Sequence, residues 1–113
     1  MLSNFRQSAP GVVGAAIVNV DGFAIASELP ESVQERRVAA MAAAMLALGE
    51  QTTSEFSHGT LDRVFVEGKD GTTVIMSAGT DAVLSAVVRK DAKLGLVFLQ
   101  MERTVEGIKS AMG

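Results

Sequence analysis

The chain has 113 residues, 48% of them hydrophobic and 20% charged, with a formal net charge of −3. Its ten basic residues are scattered, and Arg36-Arg37 and Arg89-Lys90 are the only adjacent pairs, so no basic stripe for nucleic acid is present; five Phe without Trp or Tyr also make a poor platform for stacked bases. The absence of cysteine excludes disulfides and thiolate metal sites and suits a reducing, cytoplasmic setting.

The opening residues Met1-Leu-Ser-Asn-Phe-Arg-Gln7 lack the basic-then-apolar order of a secretory signal and the second-position glycine of myristoylation. Residues 2–9 suit a short helix ended by Pro10-Gly11. Residues 12–20 are rich in Val, Ile and Ala and read as a strand. Asp21-Gly22 is a two-residue hairpin signal, and Phe23 to Ser27 is the returning strand. After Pro30, Ser32-Val-Gln-Glu35 matches a capping box, in which hydroxyl and carboxylate satisfy opposite orphan N–H groups of a helix start.

The helix opened there is expected to run to Ser57, with Gly59 as its stop, a span of about 25 residues and about 37 Å. Gly49 inside it costs about 1 kcal/mol against alanine, a cost that a close approach from a neighbouring element would explain. Three strands follow, Leu61–Glu67, Thr72–Ala78 and Ala82–Arg89, joined by turns at Gly68-Lys-Asp-Gly71 and Gly79-Thr-Asp81. Asp91 is placed to cap a last helix with the stripe Leu94, Val97, Phe98, Met101, Val105, Ile108 and Met112. The expected order is (α)ββαβββα in one domain over residues 1–113, an α+β fold. Ala15–Val18, Val64–Val66 and Val83–Val88 do not alternate as a half-wet sheet would, which points to helices on both faces.

Reactive chemistry is hard to find. His58, the only histidine, falls at a helix end, where a cation is favourable, and no Gly-x-Ser-x-Gly elbow accompanies it. Gly68-Lys69 fails the phosphate-loop pattern, since Arg63 stands where a glycine is needed and Asp70 where Ser or Thr is needed. Gly11-Val-Val-Gly14 precedes a strand and is no dinucleotide fingerprint. Asp62, Glu67 and Asp70 do not make a calcium loop, and Glu102 and Glu106, with Arg103 and Lys109, suit a solvated helix face. Met41 and Met45 suit adaptable packing better than a soft-metal site. No catalytic, cofactor or metal site is expected.

The most informative feature is the apolar run Val38-Ala-Ala-Met-Ala-Ala-Ala-Met-Leu-Ala-Leu48. It falls far short of the roughly 20 residues that cross a bilayer, yet a helix apolar all round needs cover on more than one side. By period, Val38, Met41, Met45, Leu48, Thr52 and Phe56 form a stripe of larger groups suited to the sheet. Arg37, Ala40, Ala43, Ala44 and Ala47 form a flat seam suited to a second copy across a two-fold, bordered by Leu46. Strand Leu61–Glu67, if at a sheet edge, would pair with its two-fold mate, contributing Leu61, Arg63, Phe65 and Glu67.

Three segments resemble one family in order and spacing. They are Val12-Val-Gly-Ala-Ala-Ile-Val-Asn-Val-Asp-Gly-Phe-Ala-Ile-Ala-Ser27, Arg36-Arg-Val-Ala-Ala-Met-Ala-Ala-Ala-Met-Leu-Ala-Leu-Gly-Glu50, and Val66-Glu-Gly68 with Asp91-Ala-Lys-Leu-Gly-Leu96. Together they resemble the Roadblock (dynein light-chain) family over residues 8 to 112, although residues 1–9 allow only a short first helix. The resemblance implies an antiparallel five-stranded sheet between helices, related to longin and profilin-like folds. It also implies a homodimer pairing the long helices and third strands.

Members of that family typically scaffold or regulate Ras-like small GTPases. The expected function is therefore a homodimeric, non-catalytic adaptor, cytoplasmic and not membrane-inserted, that binds such a GTPase and alters its nucleotide cycle. Arg37, Arg63 and Arg89 are the candidates for any arginine supplied in trans. The alternatives are a small-molecule sensor with a pocket between sheet and helices, served by Asn19, Ser77 and Ser85, and a purely structural dimer in a larger complex.

Overall fold

In the computed structural model, which describes residues 1–112, the elements are α1 (Leu2–Ser8), β1 (Val12–Asn19), β2 (Ala24–Glu28), α2 (Glu35–Glu55), β3 (Val64–Gly68), β4 (Gly71–Ser77), β5 (Ala82–Arg89) and α3 (Leu94–Met112). The order is the expected one. The strands pair antiparallel into one sheet, β2-β1-β5-β4-β3. α1 and α3 cover one face, where Leu2, Phe5, Val97, Met101, Val105 and Ile108 pack on Ile17, Val74, Leu84 and Val88. α2 covers the other, setting Ala39, Ala42 and Leu46 on Ala16, Val18, Ile75 and Val83. Helices on both faces explain why β1 and β5 are apolar on both sides.

The helix starts differ from expectation. The Ser32–Glu35 capping box does not form. Ser32 lies in a turn closed by the Val33 N–H donating to the Pro30 carbonyl, and α2 begins with Gln34 as an N-cap that makes no side-chain bond. The Glu35 carboxylate is engaged instead by the Ser27 hydroxyl of β2, which ties the helix start to the sheet. Asp91 does not cap α3 either. The Lys93 carbonyl accepts from the Leu96 and Val97 N–H groups, while Asp91 pairs with Arg89 at 3.5 Å.

The β1–β2 connection is wider than a two-residue hairpin. The Asn19 carboxamide oxygen accepts from the N–H groups of Asp21 and Phe23, at 3.1 and 3.0 Å, and Gly22 takes φ +92°. Ala24 pairs with Val18 and Ala26 with Ile17, which leaves Ile25 unmatched in a bulge. β3 starts at Val64 rather than Leu61, and its turn to β4 is the tight Lys69-Asp70 connection between the Gly68–Gly71 pair. In α3 Val97, Met101, Val105 and Ile108 of the expected stripe are buried and Leu94 and Phe98 half-buried, but Met112 is exposed at the helix end.

Gly49 meets the expected close approach. A Cβ built there would lie 2.5 Å from Val64 Cγ2 and 3.0 Å from Leu61 Cδ2, closer than side chains tolerate. Valine is stiff at χ1 and cannot swing clear without cost. Although alanine improves helix propensity by about 1 kcal/mol, overpacking of this kind costs about 1–3 kcal/mol. Gly49→Ala is expected to lower stability in urea unfolding, and a double-mutant cycle with Val64→Ala is expected to show coupling of about 1 kcal/mol. A stabilised Gly49→Ala protein would contradict the contact.

Candidate protein-interaction surface

The 3.6-residue period of α2 fixes what it hides and what it shows. The buried line is Ala39, Ala42 and Leu46, with Gly49 and Thr53 continuing it at half exposure. The stripe Val38, Met41, Met45, Leu48, Thr52 and Phe56 therefore does not face the sheet squarely. Val38 and Met45 are half-buried at the margin of that core, while Met41 is 54% exposed, Leu48 61% and Phe56 65%. The physical reason is distance: small groups let the helix sit close, and larger ones would hold it off. Of the alanine seam, Arg37, Ala40, Ala44 and Ala47 are exposed and Ala43 is half-buried.

The two flanks of α2 have different neighbours. On one, a Cβ at Gly22 of the β1–β2 turn would stand 3.6 Å from Ala40 Cα and 4.0 Å from Ala43 Cβ. On the other, Gly49 abuts Val64 and Leu61 beside β3.

β3 lies at the sheet edge, so one side of its backbone has no strand beside it. Its residues alternate between faces. Val64 packs beneath α2, and the Phe65 ring tilts onto Phe98 of α3, 6.2 Å between centroids. Phe65 remains 53% exposed and Val66 51%. Just before the strand, the Arg63 guanidinium lies over the same Phe98 ring, 4.3 Å from its centroid, with Nη1 4.0 Å from Glu102 Oε1. The amphipathic stripe of α3 marks Phe98 for burial but gives no sign of this stack, which depends on where the chain enters β3. Glu67 is exposed toward the end of the strand; Leu61 packs on the α2 side of the sheet, while Arg63 and Phe65 lie against Phe98 of α3.

Elsewhere the side chains are occupied with structure. The His58 ring stacks on Phe56 at 5.7 Å, and the His58 N–H donates to the Thr53 carbonyl at 2.8 Å, finishing the helix. Among the described residues no group of three or more His, Cys, Asp or Glu side chains is placed to hold a metal ion. A cleft of about 450 Å³ opens between the start of β3 and α3, lined in part by Arg63, Ser77, Glu102 and Lys109. Within it Arg63 pairs with Glu102 and Lys109 with Glu106, and Asp62 also lines it. Of Asn19, Ser77 and Ser85, Ser77 alone lines it; Asn19 holds the β1–β2 turn and Ser85 is buried in the middle of the sheet. No described helix is long and apolar enough to cross a membrane.

The Roadblock/LC7 domain model matches residues 1–89 of this sequence. The chain belongs to the Roadblock/LC7 family. A curated relative, an uncharacterised protein of Methanocaldococcus jannaschii, is 38% identical over 100 residues, covering 88% of this chain and 87% of its own length. Among solved structures, this Roadblock/LC7 chain is similar to a Roadblock/LC7 domain from Streptomyces avermitilis, with a TM-score of 0.91 and 20% identity over 97% of this chain and 92% of that one. It is also similar to MglB of Myxococcus xanthus, with a TM-score of 0.87 and 17% identity over 96% of this chain and 89% of that one. At those identities the likeness is one of fold.

The Arg63 stack gives a check on the edge geometry. Arg63→Ala is expected to cost about 0.5–1 kcal/mol in chemical denaturation through the lost cation–π contact and stem packing. Arg63→Lys is expected to recover only part of it, because an ammonium has no planar face to lay on the ring. Full recovery by lysine would mean that charge alone matters there.

Proposed function

We propose that this Roadblock/LC7 protein is a homodimeric, non-catalytic adaptor that binds a Ras-like small GTPase and modulates its nucleotide cycle. The carrying observation is that two surfaces needing cover lie near each other: the β3 edge with Phe65 and Val66, and the outward side of α2 with Met41, Ala44 and Leu48. Family membership supports the GTPase as partner, since Roadblock proteins typically serve such enzymes.

The two sheet edges favour β3 as the joint. β2 carries the Ile25 bulge, which twists an edge away from pairing, and Glu28 on it is held by Arg6 at 3.2 Å. β3 has a regular register over all five of its residues and an apolar, uncharged centre. A second copy related by a two-fold axis would pair its own β3 there and satisfy both edges at once. Leu61, Arg63, Phe65 and Glu67 belong to that joint, with Arg37, Ala40, Ala43, Ala44 and Ala47 on the exposed side of the helix available beside it.

In this reading the adaptor positions the GTPase's own catalytic groups. Arg63 is committed to Phe98 and Glu102, and Arg89 to Asp91; Arg37 is exposed, with no ion pair among the described residues. An arginine supplied in trans is worth about 10³–10⁵ in rate, so its removal is unmistakable.

Light scattering at micromolar concentration is expected to give twice the protomer mass; the protomer mass would remove the two-copy reading. Capture from native lysate with GTP, with GDP and with neither, followed by mass spectrometry, is expected to retain a small GTPase in one nucleotide state. Unrelated proteins, or none, would point to the purely structural dimer. With a GTPase in hand, simultaneous Arg37→Ala, Arg63→Ala and Arg89→Ala is expected to leave any stimulated hydrolysis within about tenfold of wild type, and a loss of about 10³ or more in a variant that keeps the wild-type mass by light scattering would assign an arginine finger.

A further inference from the structure

We infer that the notch between the β3–β4 turn and the β5–α3 connection binds a phosphate ester that carries a neighbouring hydroxyl. This goes beyond the adaptor reading and does not rest on it, because every residue involved belongs to one protomer.

Two turns meet at one end of the sheet. Lys69 lies in the two-residue connection between the paired Gly68 and Gly71. Gly71 is paired in turn with Arg89, which sets Lys90 beside that connection. The Lys90 turn is closed by the Ala92 N–H donating to the Arg89 carbonyl at 3.1 Å, and the Arg89 N–H donates to the Gly11 carbonyl at 2.8 Å. Both lysines are thus carried on short, bonded segments. Between them opens a cleft of about 470 Å³ lined by Glu67, Gly68, Lys69, Thr72 and Lys90.

The charges there are not spent inside the chain. Among the described residues neither Lys69 nor Lys90 forms an ion pair, whereas Arg89 at the same end pairs with Asp91. Lysines beside an edge strand commonly serve only to keep it from pairing with strangers. Thr72 makes this place different. It is 8% exposed, and its hydroxyl makes no hydrogen bond to another described residue. No fully enclosed polar side-chain atom among those residues lacks a partner, so the hydroxyl reaches the surface of the cleft. Two ammonium groups and a hydroxyl form a set of donors without an acceptor. A phosphate group has oxygens enough for all three, and lysine binds it as a point charge without any glycine-rich loop.

Glu67 selects among such anions. The register sets it directly across from Thr72, and Thr72 beside Val88, so the three share the face covered by α1 and α3. A carboxylate only accepts, and it repels a bare phosphate dianion. A hydroxyl next to the phosphate gives Glu67 a donor. Sugar and polyol phosphates have this chemistry, and so does a glycerol phosphate headgroup on a lipid.

Titration with glycerol phosphate, followed by amide NMR, is expected to shift Gly68 to Thr72 and Lys90 saturably, with a dissociation constant of about 1 mM. Inorganic phosphate is expected to bind about fivefold more weakly. Lys69→Ala combined with Lys90→Ala is expected to weaken glycerol phosphate by about tenfold or more, and Thr72→Val, which keeps the branched shape, by about fivefold. Glu67→Gln is expected to tighten inorganic phosphate and bring the two probes within about twofold. Unmoved resonances of α1 and α2 verify the fold of each variant. Vesicles of phosphatidylglycerol in phosphatidylcholine distinguish the sources: binding that glycerol phosphate displaces supports a lipid headgroup, and binding of the free ester alone supports a soluble ligand. Failure of both phosphate probes to saturate, unchanged affinity in the double-lysine variant or in Thr72→Val, or vesicle binding that glycerol phosphate does not displace would overturn the site.

Discussion

The close seating of α2 on the sheet governs the rest of the structure. The helix touches the sheet through Ala39 and Ala42, the sheet answers with Ala16 and Val18, and Gly49 admits Val64 and Leu61 into the space of a missing side chain. Small groups on both sides shorten the interaxial distance. They also deliver less buried apolar area per residue than leucine or phenylalanine would, at roughly 25 cal/mol for each Å² removed from water. Leu46 supplies the one large group at the centre of that contact. A helix packed on its alanines must carry its larger apolar groups elsewhere, and Met41, Leu48 and Phe56 stand outside the core as a result.

That division of residues makes the protomer unequal on its two faces. The face under α1 and α3 is closed by Phe5, Met101, Ile108 and Leu84, all nearly inaccessible to water, and behaves as an ordinary core. The α2 face has a core of its own but ends in an apolar outer surface. The sheet edges are unequal in the same sense. β2 is bulged, and Arg6 reaches it from α1 through Glu28. β3 is straight and apolar. Large apolar groups left in water beside an unpaired strand are features that a folded chain tolerates when a partner covers them. Both features suit contact with a partner.

Much of the architecture was legible in the sequence because period and turn chemistry both pointed one way. The Asp21-Gly22 and Gly68–Gly71 turns, the long alanine-rich helix and the α3 stripe each located an element to within a few residues. Strands without alternation correctly implied two helical layers. The rotation of α2 was not legible. In a helix with apolar residues on every side, periodicity names stripes but does not say which one is buried, and side-chain size alone points to the wrong one. The capping box failed for a related reason: Ser32 and Glu35 have the right local spacing, but the Ser27 hydroxyl, distant in sequence, takes the carboxylate. The Arg63–Phe98 stack joins residues far apart in the chain, and no local pattern announces it. Of the candidate surface residues, Phe65 and Glu67 lie on the edge strand with Leu61 and Arg63 just before it, and Ala40 and Ala43 lie against the β1–β2 turn.

A regulator need not make or break bonds itself. It can still change a reaction in another protein by binding one conformation of it more tightly than another. Such an effect is limited by the difference in binding free energy between the two states. A ten- to hundredfold change of nucleotide state asks for about 1.4–2.7 kcal/mol of difference, an amount that a few apolar contacts at the centre of an interface can supply. An apolar surface whose side chains are already held by packing offers such contacts without first having to be ordered. Rigidity matters here, since a surface that must be ordered on binding loses about 0.5–1.5 kcal/mol for each immobilised side chain. Alanine, with almost no side-chain entropy to lose, is suited to that task.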